Sequence, residues 1–274
     1  MLVSLFALAI GLLIGSFLNV CIYRMPRDLS VVSPRSFCPH CEHMIAWYDN
    51  IPVASYWMLG RKCRHCGHPI SARYPIVEAL TGVLFFFSAW FYGPAPLAVK
   101  YCLFSALMIG LVFSDLEERI LPNEFTVGGA VAGILLAAWV PTAEGVTLAR
   151  MLLPAAWGPR WLSVAEALMG ALFCSLLLWF VGWAYLKVRH KEGLGLGDVK
   201  MIATIGAFLG LYGAMATMIL GSLVGSVIGL LYIFIRKKDA STYELPFGTF
   251  LGIAAVGYAV FGDRISAWWL GLAR

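Results

Sequence analysis

Two kinds of residue in this sequence carry chemistry: a set of four cysteines and a pair of aspartates. Cys38-Pro39-His40-Cys41 and Cys63-Arg64-His65-Cys66 are two CxxC knuckles. Their separation is slightly longer than the usual four-cysteine zinc spacing, and together they offer four thiolates for tetrahedral Zn²⁺. Two disulfides or a redox pair are the rival readings. A redox motif does not require two matched knuckles, and structural disulfides do not persist on the reducing side of a membrane, where the predicted topology places this loop. His40, His43, His65 and His68 sit in or beside the knuckles. One of them could replace a cysteine as ligand, but surface or supporting roles are expected. Cys21, Cys102 and Cys174 fall in apolar runs and are expected to behave as small buried hydrophobes.

The aspartates are Asp115 and Asp198. Asp198 closes Gly195-Leu196-Gly197-Asp198, where a basic loop from Lys187 to Lys191 gives way to an apolar run starting at Val199. A carboxylate at such a border is costly unless it has a polar cavity or a partner, which makes it a functional candidate. Gly195 and Gly197 lack Cβ atoms, so they permit backbone conformations closed to other residues and the close approach of another chain. The plainer reading is a helix cap, with the charge of Asp198 facing the positive end of the following helix. Asp115 holds the matching position at the end of the run that closes with Phe113. Alone it would be a charge that ends a helix. A second border aspartate on the same face changes that, because two carboxylates at one depth are what hydrolysis by an aspartyl dyad needs. Glu117 and Glu118 are expected to be solvated. Glu78, at the edge of a predicted helix on the same side, is a further candidate, whereas Glu166 falls on the opposite side and is expected to be structural.

The elements that must position these residues follow from composition. The 274 residues are 61% hydrophobic and 13% charged, with mean hydropathy +0.82. That leaves far too little polar surface for a soluble globule and predicts an all-α polytopic membrane protein. Runs long enough for about 30 Å of hydrocarbon fall near 2–23, 76–92, 97–114, 124–140, 163–186, 199–211, 213–235 and 247–262. This predicts about eight transmembrane helices, with Gly210 and Gly213 marking either a tight hairpin or a broken helix. No basic residue precedes the first run and Arg24 follows it, the reverse of a cleavable signal peptide, so a retained helix with its N-terminus outside is expected. The segment 265–274, with Trp268 and Trp269, is expected to lie at the interface.

Threading eight helices puts loops 24–75, 115–123, 187–198 and 236–246 on one side, together with most of the Lys and Arg, Lys237 and Lys238 included. The other side holds Arg150, Arg160, Arg274 and little else. Positive charge marks the cytoplasmic face, so Asp115 and Asp198 are both expected there. The net charge of +5 reflects this asymmetry and does not suggest nucleic acid. Three parts are expected: 1–23 as a first helix, 24–75 as a cytoplasmic cysteine-rich loop, and 76–274 as the membrane core. The loop lacks the apolar content for a core of its own and needs a staple such as zinc.

Along nearly its whole length the chain resembles the bacterial type IV prepilin peptidases, the leader peptidases of pili and type II secretion. The resemblance rests on Gly15-Ser16-Phe17-Leu18-Asn19-Val20 with Tyr23-Arg24 and Pro26, the two knuckles, Trp47-Tyr48-Asp49-Asn50-Ile51-Pro52, and Ser71 with Arg73-Tyr74-Pro75 and Glu78. It continues through Asp115 with Leu121-Pro122-Asn123, the stretch Gly195 to Lys200, and Pro246-Phe247-Gly248. It implies that Asp115 and Asp198 are the catalytic aspartates, flanked by the loop glycines Gly195 and Gly197. In one departure, Thr249 stands where the family's Pro-Phe-Gly-Pro-Phe-Leu pattern has its second proline. The family removes the basic leader of prepilins and pseudopilins on the cytoplasmic side of the bacterial inner membrane, after a glycine. Members with this cysteine-rich loop commonly also methylate the new N-terminus with S-adenosylmethionine. No glycine-rich fingerprint in the loops points to a place for that cofactor.

Two other classes compete. A proton- or cation-coupled transporter would use Asp115 and Asp198 as relays, but mid-helix acids or an internal repeat are not evident. A zinc-bearing membrane adaptor would leave both aspartates as helix ends.

Overall fold

In a computed structural model, residues 1–141, 148–154, 157–191, 193–236 and 246–269 are described, without the side chains of 148, 150, 233, 236 and 263–269. Lys237, Lys238 and the side chains of the C-terminal tail lie outside the described residues. The chain divides into two compact units, Met1–Ser114 and Asp115–Arg274.

In the first unit, α1 (Leu2–Arg24) is followed by a 3₁₀ turn (Met25–Arg27), a second 3₁₀ turn (Trp47–Asn50), the short α2 (Ala54–Met58), α3 (Arg73–Tyr92) and most of α4 (Pro96–Glu118). Glycines let α1 lie against α3. A Cβ on Gly11 would come within 2.8 Å of the Gly82 Cα, and one on Gly15 within 2.6 Å of the Glu78 Cα. The pair therefore has the small-xxx-small spacing that allows helix backbones to touch in a membrane. The register, 11 to 82 and 15 to 78, makes the two helices antiparallel. Asn19 extends the seam by donating from Nδ2 to the Tyr74 carbonyl at 3.0 Å. Glu78 looks back to the loop, accepting the Val53 N–H on Oε2 at 2.7 Å.

The loop itself has no strand among the described residues, only two isolated bridge pairs, Phe37 with Met44 and Lys62 with Pro69. These are the same turn made twice. In the first, Cys38 N donates to His43 O, Glu42 N to Cys38 O and Ile45 N to Ser36 O. In the second, Cys63 N donates to His68 O, Gly67 N to Cys63 O and Ile70 N to Arg61 O. Each turn needs a left-handed residue, supplied by Glu42 (φ 56°) and Gly67 (φ 69°). The sequence repeats with the geometry, Cys-x-His-Cys-x-His-x-Ile in both places.

The second unit contains α5 (Asn123–Trp139), the short α6 (Leu148–Leu152), α7 (Pro159–Arg189), α8 (Leu196–Arg236) and α9 (Phe247–Trp269). α8 is not one rod, because Gly210 at φ 72°, ψ −174° breaks it. A straight helix would separate residues 198 and 225 by roughly 40 Å at 1.5 Å per residue. Yet Gly248 lies against Asp198, and Phe250 lies against Gly225. The chain therefore turns back at Gly210 into two arms, which resolves the expected choice between hairpin and broken helix in favour of a hairpin. Only glycine adopts this φ without strain, and a Cβ there would also meet the Glu166 side chain at 2.9 Å. Glu166 is buried and staples the turn, accepting the Leu211 N–H on Oε1 at 3.1 Å and the Ala149 N–H on Oε2 at 3.0 Å. Its expected structural role thus has a definite form.

Five helices are long and apolar enough to cross a membrane, those beginning at Leu2, Arg73, Pro96, Pro159 and Leu196, and two shorter apolar helices cover Asn123–Trp139 and Phe247–Gly262. All eight apolar runs named from sequence are occupied by helix. Outward faces such as Leu172, Phe173, Leu176, Trp179 and Phe180 on α7 are exposed, a patch that water would not tolerate and that lipid covers. The protein is a multi-pass, all-α membrane protein. Cys21 and Cys174 are fully buried as expected, while Cys102 is only partly so.

Candidate active site and metal centre

Three helix ends of the second unit meet at the aspartates. Asp115 lies in the last turn of α4, where its carbonyl accepts the Arg119 N–H at 3.1 Å and Arg119, at φ 55°, ends the helix. Pro122 then starts α5, its carbonyl accepting the N–H groups of Phe125 and Thr126. Asp198 lies in the first turn of α8, its N–H donating to the Gly195 carbonyl at 3.2 Å. It is the third residue of that helix rather than its cap. α8 is tied to α5 by Lys200, which donates from Nζ to Asn123 Oδ1 at 2.9 Å, and by Thr204, whose Oγ1 donates to the Thr126 carbonyl at 2.5 Å. The third end is the start of α9, at Phe247-Gly248-Thr249.

This third end brings the carboxylates together. A Cβ on Gly248 would lie 3.1 Å from Asp198 Oδ1 and 3.2 Å from Asp115 Oδ2. The two oxygens therefore face one small space and are no farther apart than the sum of those distances. Thr249 fixes one side of the pair: its N–H and its Oγ1 both donate to Asp115 Oδ2, at 2.6 and 2.9 Å. Asp115 is buried, and Asp198 is partly open. The amino ends of α8 and α9 add positive dipole charge where the carboxylates meet.

The loop glycines behave differently from expectation. Neither Gly195 nor Gly197 has positive φ, because α8 already begins at Leu196 and Gly197 is a helical residue. Gly197 is required by packing, since a Cβ there would press on Leu121 at 3.1 Å. Gly195 has room beside it and serves through its carbonyl. Two residues of the site, Gly248 and Thr249, were not singled out from sequence. Their signal was present in Pro246-Phe247-Gly248 and in the missing second proline, because a proline at 249 has neither the N–H nor the hydroxyl that Asp115 receives.

In the first unit the four knuckle cysteines converge. Their Sγ atoms all lie within 4.8 Å of one another, with Cys38 and Cys66 at 3.9 Å, and none is in a disulfide. A tetrahedron with metal–sulfur bonds of about 2.3 Å has edges of roughly 3.8 Å, so the four thiolates fit a metal ion. The thiols of the cluster split: the backbone N–H groups of Cys66 and then His65 pull Cys63 down to about 7, whereas Cys41, although the His43 backbone favours its thiolate, is pushed up to about 11 by burial and the neighbouring cysteines. The histidines pair across the repeat, His40 stacking on His68 at 4.1 Å and His43 meeting His65 at 3.4 Å between ring centroids. They pack the two turns together and join no metal-sized cluster among the described residues. Arg64 of the second knuckle grips Asp49 with two bonds of 2.7 and 2.6 Å, holding the Asp49 carboxyl below the usual carboxylate range.

Two family models match successive parts of the chain. Residues 9–92 match the bacterial peptidase A24 N-terminal domain, and residues 102–230 match the type IV leader peptidase family. The prepilin leader peptidase/N-methyltransferase of Aeromonas hydrophila is 34% identical over 95% of this chain and 91% of its own length. The protein of the same name from Pseudomonas aeruginosa is 32% identical, over 96% and 92%. That of Myxococcus xanthus is 41% identical over 88% of this chain, and the match spans 66% of the relative. No solved structure matches the chain. These relatives lend no support to the transporter and adaptor readings.

Proposed function

The chain belongs to the type IV leader peptidase family, and from that premise we propose that it is an intramembrane aspartyl endopeptidase that removes the leader of type IV prepilins or pseudopilins and methylates the new N-terminus. The observation that carries the reading is the convergence of Asp115 and Asp198 on the space beside Gly248. Cleavage takes place after a glycine at the cytoplasmic face of the bacterial inner membrane, with the N-terminus of the enzyme outside. A substrate whose apolar stem lies in the bilayer and whose basic leader protrudes presents its scissile bond at the level of the dyad.

Two carboxylates this close share a proton. The ionised member takes a proton from water, which attacks the scissile carbonyl carbon, while the protonated member donates a hydrogen bond to the carbonyl oxygen. Collapse of the tetrahedral species breaks the C–N bond as a carboxyl proton passes to the leaving amine. No acyl-enzyme forms. Gly248 leaves the space in which water and carbonyl meet, and Thr249 holds Asp115 in place through two donors.

Cys38, Cys41, Cys63 and Cys66 hold Zn²⁺ in this reading, and the ion supplies the fold of a loop that has little apolar core. S-adenosylmethionine, when bound, supplies an activated methyl group for the amine that cleavage uncovers. The test is incubation of the purified protein with a prepilin, with and without the methyl donor, read by mass spectrometry. Release of the leader is expected in both samples and a methyl mass increment on the mature chain only with the donor. Intact prepilin in both would overturn the assignment.

A further inference from the structure

Part of the cysteine loop lies alongside the membrane helices of the first unit rather than beyond their ends. Glu78 follows Arg73, the first residue of α3, by five positions, which is about 7–8 Å along the helix at 1.5 Å per residue. Its carboxyl accepts the Val53 N–H at 2.7 Å and a hydrogen bond from the Ser16 side chain of α1. Val53 is held there at φ 61°, a conformation costly for a β-branched residue. The Trp47–Asn50 turn is also drawn alongside: Trp47 and Asn50 border a hollow that Phe17 and Val20 of α1 line as well, seven and four positions short of the end of that helix at Arg24. Over this length α1 and α3 turn Phe17, Ile76 and Leu80 outward, a face that lipid covers.

What the stretch 47–58 itself turns outward is aromatic and apolar. Met58 leaves 77% of its surface exposed, Trp47 74% and Trp57 59%, and Tyr48 and Ile51 are half-exposed. Water does not favour such a set on one short loop, whereas Trp and Tyr are at home at the headgroup level of a bilayer. The backbone suits that place too. The N–H groups of Ile51, Val53, Ser55, Leu59, Gly60 and Arg61 are each bonded within the loop or to Glu78, so they need no water. Charge agrees. No acid occurs between Asp49 and Glu78, and Asp49 is already paired with Arg64. Arg61 and Lys62, just after α2, are both exposed, and the Arg61 guanidinium lies over the Trp57 ring at 4.6 Å. An indole beside a cation suits the boundary between acyl chains and anionic phosphates, while a basic peptide would meet like charge there.

We propose that residues 47–58 are an interfacial strap, with Trp47, Trp57 and Met58 inserted at the boundary of headgroups and acyl chains and with Arg61 and Lys62 on the phosphates of anionic lipid. The strap ties the cysteine cluster to the membrane surface, because Arg64 of the second knuckle grips it through Asp49. This surface is independent of the peptidase and methyl-transfer readings.

The test is photolabelling of the full-length protein in vesicles of phosphatidylethanolamine and phosphatidylglycerol that contain a phospholipid with a diazirine near the ester end of one acyl chain, followed by peptide mapping. Adducts are expected on α1 and α3 and also within residues 47–58. A phosphatidylglycerol probe should label 47–58 about fivefold more than a phosphatidylcholine probe in the wild type and equally in R61E/K62E, since each basic residue at the surface adds to the attraction for anionic lipid. Adducts on α1 and α3 with none within 47–58 would overturn the strap, and equal labelling by the two probes in the wild type would remove anionic lipid as its partner. A benzophenone amino acid at position 58 separates lipid from protein. Lipid adducts in the presence of added prepilin support the proposal, and capture of the prepilin instead would contradict it and assign the surface to substrate. The first readout is taken on the unmodified chain, so a variant that misfolds does not remove the test.

Discussion

The aspartates and the cysteines are held by opposite means. Asp115 and Asp198 are carried on the ends of long helices whose geometry is set by packing in unit two: Leu121 on Gly197, Thr204 on Thr126, and Glu166 on the Gly210 turn. The cysteines sit on two short turns with little core of their own, drawn together at one point by their four sulfur atoms. A site of the first kind survives loss of a functional group, because the group does not build the scaffold. One of the second kind does not, because its ligands are the scaffold. Chemistry and fold are thus expected to be separable at the aspartates and inseparable at the knuckles.

The sharpest way to test that contrast is to remove one carboxylate. D115N and D198N are each expected to lower leader cleavage by several orders of magnitude, as for groups that act as a unit, with unfolding temperature close to that of the wild type. Prepilin cleavage and thermal unfolding of the same preparations measure both.

Filling the space between the carboxylates comes next. In G248A a methyl group would press on Asp198, Asp115 and Leu121 at 3.1–3.2 Å, and misplacement on the scale of 1 Å costs on the order of a hundredfold in rate. The neighbours here need to give by only a few tenths of an ångström, so a drop in kcat/KM of more than tenfold and up to about a hundredfold is expected. Wild-type turnover by G248A would mean that substrate does not use this space.

The knuckles should give the converse pattern. The native protein is expected to carry about one zinc per chain by elemental analysis, and C38S/C41S to carry none. Loss of the metal should unfold the loop and abolish methylation, and it should also lower cleavage where the loop serves to position substrate, the outcome expected here. Normal cleavage with lost methylation would restrict the loop to methyl transfer. A native protein without metal, and with the four cysteines oxidised, would return the site to the disulfide reading.

The smallest effect is expected at Thr249. T249V removes the hydroxyl donor to Asp115 and keeps the N–H, and a hydrogen bond to a charged group contributes about 1.5–3 kcal/mol. A loss in kcat of about tenfold or somewhat more is expected, with KM unchanged and T249S near wild type. If T249V and T249S behave alike, the hydroxyl does not position Asp115.

How much of this could be read in the sequence follows from how local each feature is. The two converging aspartates and the four-cysteine cluster were legible because each rests on short motifs, CxxC twice and an aspartate at each of two borders of apolar runs. Helix positions were legible because hydropathy alone sets them in a membrane. The fold-back at Gly210 was visible only as an ambiguity, since its deciding partner, Glu166, is far away in the chain and looked like an isolated structural acid. Gly195 and Gly197 were assigned backbone freedom on residue type, but α8 already starts at Leu196, so Gly197 is a helical residue that answers to Leu121 instead. Gly248 and Thr249 were noted in the sequence only as part of a motif and a departure from it, with no place in the site, because their roles exist only once the start of α9 is brought against Asp115 and Asp198, a meeting in which Thr249 and Asp115 are more than 100 residues apart.

The central claim is that Asp115 and Asp198 form one catalytic unit, and a double-mutant comparison tests it most directly. Leader cleavage of a single prepilin is measured for the wild type, D115N, D198N and the double variant, each shown to be folded. Two carboxylates working as one predict that the double variant is no slower than either single variant, all three lying several orders of magnitude below the wild type. Substantial cleavage by either single variant, or losses that multiply in the double, would contradict the account.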